Sequence, residues 1–211
     1  MSNAITLQVS RPSPASSITA AAVLAAWFLT ILWLGARGAF VGPSGAPPFA
    51  IMAGFAAPLA VFFALTRLSR AFREFVYGID LRLILGLNAW RVGGFAFLAL
   101  YAHDILPGAF ALPAGLGDMA VGVVAPWMVL RLVRDPAFGA SSRFRAWNWL
   151  GILDLVVAVG LGGLLAVAAH GDVTTAPMAQ LPLVFIPAYL VPIYIMLHVS
   201  ALLRPKPVRA G

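Results

Sequence analysis

The 211 residues carry 62% hydrophobic and 10% charged side chains, with a mean hydropathy of +0.95. A water-solvated domain normally has about 25% charged residues, so the composition excludes a soluble globular protein and points to a multi-pass membrane protein. The absence of cysteine removes disulfide frameworks, thiolate metal sites and cysteine nucleophiles. The net charge of +7 comes from arginines gathered in short stretches beside apolar spans. That is the pattern of membrane orientation and anionic headgroups, and no nucleic-acid recognition module is traceable.

Taken in order, residues 1–17 are polar, rich in serine and proline, and predict a disordered cytoplasmic tail. The first span is 18–36; its length and its internal Trp27 and Trp33 mark a retained helix rather than a cleaved signal peptide. A second span follows at 49–66, with Pro58 as a kink. Next come Arg67, Arg70, Arg73 and Arg82, with Phe72, Phe75, Val76 and Ile79 at helical spacing opposite them. An amphipathic helix on the headgroups fits that pattern; a plain basic loop is the alternative. The third and fourth spans are 83–102 and 112–133, the latter kinked at Pro126, followed by Arg131, Arg134, Arg143 and Arg145. A fifth span, 148–169, leads to an outer loop, and a sixth, 181–203, is broken by Pro187 and Pro192 before a basic tail at 204–211.

Each span has about 20 residues, enough to cross a bilayer core. Eleven of the fourteen basic residues fall in 67–82, 131–147 and the C-terminal tail, while the outer loops hold only Arg37. The expected fold is therefore all-α, with six transmembrane helices and both termini cytoplasmic, in a bacterial-type inner membrane. The expected partners are that bilayer, its anionic headgroups at Arg67, Arg70, Arg73, Arg131, Arg134, Arg143 and Arg145, and, left open, a second copy of the chain. An echo between LPGAFALPAGL (106–116) and LPLVFIPAYL (181–190) suggests that hairpins 3–4 and 5–6 are repeats, as transporters often have. Chance similarity between proline-started apolar helices is the alternative.

Ionisable residues inside the spans are the candidate site, because a charge at bilayer depth costs about 2.5–3.5 kcal/mol and normally faces protein or water. Counting about 1.5 Å per residue gives two polar layers. The inner one holds Asn88, Arg91, Asn148, Asp154 and His198; the outer one holds Asp118, with Tyr101, His103 and Asp104 at its rim. Arg91 is expected to pair with Asp154; Asp118, about 10 Å away in depth, is the less favoured partner. If Asp118 lacks a cation, the low dielectric should favour its protonated form and make it a proton-carrying candidate. Gly93, Gly94, Gly160, Gly162 and Gly163 are expected to serve helix packing. At the rim, His103, Asp104, His170 and Asp172 have the chemistry to hold Zn²⁺ or Cu²⁺ if the hairpins converge; solvated helix ends are the plainer reading. No cofactor is expected, since no phosphate loop, HExxH or Ser-His-Asp spacing occurs.

Gly115-Leu116-Gly117-Asp118 resembles the GxGD motif of intramembrane aspartyl proteases of the presenilin and signal peptide peptidase class. Pro187-Ala188-Tyr189-Leu190 resembles their PAL motif with a tyrosine intervening. The resemblance, over about eight residues, implies Asp118 as a catalytic aspartate. That class also uses a second aspartate on the preceding helix, usually after a tyrosine; here Tyr101 is followed by Ala102, His103 and Asp104, beyond the span. Asp154 lies on another span, about 14 Å from Asp118 in depth, whereas paired aspartates must be close enough to share a proton. The preferred function is movement or sensing of a small solute or protons through a polar cavity. A membrane enzyme using Asp118, and an interaction protein whose charges only fix helix register, are the alternatives.

Overall fold

The computed structural model describes residues 12–43, 45–168 and 172–204. Among them all regular structure is helical, and five helices are long and apolar enough to cross a membrane. They are α1 (Pro14–Ala36), α2 (Phe49–Leu68), the composite Leu81–Ala102, α6 (Gly108–Arg134) and α7 (Ser142–Val167). Short α3 (Arg70–Gly78) joins α2 to the composite helix, which consists of α4 (Leu81–Asn88), a 3₁₀ segment (Ala89–Gly94) and α5 (Phe95–Ala102). The chain ends in a π turn (Ile186–Leu190) running into α8 (Val191–Leu202). With only 17 residues from Ile186 to Leu202, this last piece is shorter than the other five.

Helix starts lie earlier than the apolar runs suggest, because serines cap them. Ser13 Oγ accepts the Ser16 N–H at 3.1 Å and Pro14 opens α1, so 14–17, expected in the tail, are helical. The rest of that tail, through residue 11, lies outside the described residues, as does 205–211. Ser141 likewise accepts the Phe144 N–H at 3.1 Å and starts α7 six residues before Asn148. α6 begins at Gly108 rather than 112, after Pro107, and runs through both Pro113 and Pro126 to carry Arg131 and Arg134 in its last turn. There, cations face unpaired carbonyls favourably.

The interior consists of α4–α6, α7 and α8, while α1 buries little besides Ile31. Large apolar side chains such as Phe49, Leu68 and Trp90 point outward. At one end of the bundle, Arg204 donates to the Ile79 carbonyl, and Gly139 lies beside Leu81. At the other end, Leu181 and Val184 pack on Gly35.

The basic stretch after α2 does form a helix, α3, but its apolar side is used within the protein. Val76 is buried, and Phe72 meets the Phe62 ring edge-on at 5.8 Å. Its cations are engaged too: Arg73 donates to the last carbonyls of α2, Thr66 (3.1 Å) and Arg67 (3.3 Å), and Arg70 pairs with Glu74 at 2.8 Å. α3 is thus a C-terminal cap for α2.

Candidate functional site

The site grows from the break in the third span. Nothing in Ala89–Gly94 forbids an α-helix outright, but the Gly93-Gly94 pair weakens it. Gly94 and Gly122 let this segment press against α6: a Cβ on Gly94 would overlap that of Asp118, and one on Gly122 would overlap the Val92 backbone nitrogen. Arg91 is thereby driven into the bundle, its side chain completely buried.

The guanidinium is shared among three helices. Nε donates to Asp118 Oδ1 of α6 at 2.7 Å, and Nη2 donates to Asp154 Oδ2 of α7. Nη1 donates to the Gly151 carbonyl at 3.3 Å and faces His198 Nε2 of α8 at 3.2 Å. The Tyr194 ring lies 5.8 Å from the guanidinium carbon, a cation–π distance. The pairing of Arg91 with Asp154 expected from depth is present. The expected separation of Arg91 from Asp118 is not, and Asp118 is a second direct partner.

The physical reason is twofold. The count compares backbone depths and leaves out the reach of the long arginine side chain, to which the 3₁₀ rise of about 2.0 Å per residue adds a little, and the glycine contacts close the lateral gap to α6.

Hydrogen-bond direction fixes the state of His198. Arginine can only donate, so His198 Nε2 accepts and Nδ1 bears the proton. Nδ1–H therefore donates to Asn148 Oδ1 (2.9 Å), and Asn148 Nδ2 donates to the Phe144 carbonyl (2.9 Å). The imidazole is neutral and held in one tautomer. Trp147 meets the same ring edge-on at 5.1 Å. Replacing Asn148 with alanine should strand the buried Nδ1–H and lower stability by about 1–3 kcal/mol. Thermal unfolding of the purified protein measures this, and an unchanged midpoint would contradict the chain.

Asn88, expected in the same layer, bonds instead to the Ile84 carbonyl at 2.9 Å, and its Oδ1 finds no partner.

With His198 neutral, the cluster contains one guanidinium and two carboxyl groups, a formal net charge of −1 when both are ionised. Each carboxylate uses one oxygen on Arg91, and both side chains remain 18% exposed. Asp118 reaches a cavity of about 140 Å³ that is otherwise lined mostly by apolar groups, among them Phe40, Phe110, Leu155 and Ile186. Phe40, Thr175 and Met178 belong to the connections α1–α2 and α7–π turn, so the cavity lies between the ion cluster and that end of the bundle.

The GxGD glycines have a packing explanation. A Cβ on Gly115 would come within 2.9 Å of the Gly94 carbonyl, and one on Gly117 would overlap the Asp154 carboxylate. The two aspartates are joined through a guanidinium rather than through a shared proton. The PAL-like residues form the π turn, with Ala188 against Gly54.

Of the glycines expected at helix contacts, Gly94 is at one and Gly162 touches Phe110, whereas Gly93, Gly160 and Gly163 face open space. Gly115, Gly117, Gly122 and Gly151 are the close-approach positions instead. For Gly115 and Gly122 the sequence signal was spacing, three residues before and four after Asp118 on one helix face.

At the rim, Asp104 adopts a left-handed turn (φ 54°), and among the described residues His103, Asp104 and Asp172 join no group of three or more ligating side chains. Among the described residues no group of three or more His, Cys, Asp or Glu could hold a metal; His170 lies outside them.

Among the described residues, fold and site together define an all-helical bundle with apolar outer faces, built around an interior ion cluster. The chain belongs to the family described as a domain of unknown function, DUF8737, whose model matches residues 48–204 and so contains every member of the cluster. No curated protein and no solved structure gives a significant match.

Proposed function

We propose that this is a multi-pass inner-membrane protein that moves or senses protons or a small solute at Asp118. The carrying observation is that Asp118 joins two environments, with one oxygen on buried Arg91 and its side chain reaching a cavity at one end of the bundle. An excess negative charge in a low-dielectric interior invites a proton or a cation.

In this reading 181–203 is a sixth crossing and both termini are cytoplasmic. Supporting it, Arg204 at the end of α8 contacts Ile79, beside the arginine-rich α2–α3 junction, and cytoplasmic loops carry the excess of basic residues. The arginines left free at that end, Arg67 and Arg134 among them, would meet anionic headgroups.

Reconstituted in vesicles with a pH-sensitive dye, the wild-type protein should pass protons or a co-transported solute. Asp118→Asn should reduce flux to that of empty vesicles while retaining helical circular dichroism. Unchanged flux in that variant would remove the role.

The complete burial of Arg91 favours a second reading, in which the cluster only pins three helices together. Neutralising Arg91 and Asp154 together would then restore function lost in either single variant. An enzyme using Asp118 requires a second reacting group beside it in the cavity, and Asp118 is the only charged residue among the cavity's described lining.

A further inference from the structure

We propose that the cavity at Asp118 binds a small ammonium ion carried on an apolar body about the size of benzene. The inference rests on reading Asp118 as the solute-handling residue and names the chemistry of that solute.

Three observations carry it. The first is size: about 140 Å³ is close to the ~150 Å³ apolar cavity known to admit benzene. The second is the wall. Leu155, Ala158, Val159, Gly162, Gly163 and Ala166 recur at i, i+3, i+4, i+7, i+8 and i+11 along α7 and all line the cavity, so one helix face is reserved for it. Side chains there are mostly small, and a Cβ on Gly163 would meet nothing within 4 Å. Facing that wall are the rings of Phe97 and Phe110, which pack edge-to-face at 5.6 Å. Aromatic rings receive both apolar groups and cations.

The third is charge. Among the described residues Asp118 Oδ2 takes no hydrogen bond, since Arg91 Nε is held by Oδ1 alone. With the cluster at −1, an ammonium N–H donating to Oδ2 would bring the whole assembly to neutrality. An anion would add to the excess, and a neutral isostere would leave it uncompensated. Both threonines that line the cavity are engaged by the protein itself: Thr175 Oγ1 donates to the Gly162 carbonyl at 3.3 Å, and Thr174 Oγ1 accepts the Ala176 N–H at 3.2 Å.

The test uses the full chain in lipid nanodiscs and three probes of one shape: benzylammonium, benzyl alcohol and benzoate. Thermal unfolding across a concentration series reads apparent affinity. Benzylammonium should bind about tenfold more tightly than the alcohol, as a charge-assisted hydrogen bond implies, and benzoate should not stabilise.

Asp118→Asn should level amine and alcohol. Gly163→Leu, which fills the cavity without touching the ion cluster, should abolish stabilisation by both while leaving the unliganded midpoint undiminished. Equal stabilisation by amine and alcohol in the wild type would overturn the proposal. So would amine binding that survives Gly163→Leu, or ammonium chloride acting as well as benzylammonium. Amine binding without any flux would remove the transport reading and leave this one standing. Proton flux without amine binding would do the reverse.

Discussion

Replacing Arg91 with methionine is expected to destabilise the protein by about 3–5 kcal/mol, the usual consequence of removing one partner from a buried ion pair. The size of the effect follows from the geometry. Arg91 is the single cation between Asp118 and Asp154, and its removal leaves two carboxylates in the interior with no guanidinium. Lysine is not a substitute, because its compact ammonium cannot serve two carboxylates, a backbone carbonyl and an imidazole from a planar fork. Adding Asp118→Asn and Asp154→Asn to Arg91→Met should recover most of the loss, since buried ion triads are often replaceable by neutral groups. Midpoints of chemical unfolding in detergent give the comparison. A single variant as stable as the wild type would show that the cluster bears no structural load.

Gly122→Ala is expected to destabilise by about 3 kcal/mol, at the upper end of overpacking effects. Its added methyl would strike the Val92 nitrogen and the Arg91 carbonyl carbon, which are backbone atoms with no rotamer to change. The 3₁₀ segment would have to retreat from α6 and take Arg91 away from Asp118. Gly160→Ala makes the control: on α7, with open space at the same radius, it should be neutral or stabilising by about 0.5–1 kcal/mol through helix propensity. Similar midpoints for the two variants would mean that the close approach at Gly122 is not maintained in the folded protein.

How far the sequence reaches is clearest at particular residues. The long apolar helices were legible because about 20 apolar residues in a row have few other uses. Their starts were not, since Ser13 and Ser141 are polar and look like loop until their hydroxyls are seen accepting backbone N–H groups. The Arg91–Asp154 contact was legible from depth together with the match of a guanidinium to a carboxylate. Asp118 was not, because counting 1.5 Å per residue assumes an unbroken helix at ordinary spacing. The 3₁₀ turn at 89–94 and the missing side chains of Gly94 and Gly122 violate both assumptions.

Tyr194 and the Gly151 carbonyl escaped for another reason. Neither is charged, and only the three-dimensional path of the guanidinium shows that they complete its surroundings. The GxGD string carried real information, but about packing: Gly115 leaves room for the Gly94 carbonyl and Gly117 for the Asp154 carboxylate.

A double-mutant cycle on Arg91 and Asp118, read by chemical unfolding in detergent, measures whether the two side chains share one ion cluster. One guanidinium binding both carboxylates predicts a coupling of at least about 1 kcal/mol, in the range found for residues in contact. Purely additive effects of Arg91→Met and Asp118→Asn would contradict it, placing Asp118 apart from the ion cluster and leaving the cavity without its charge.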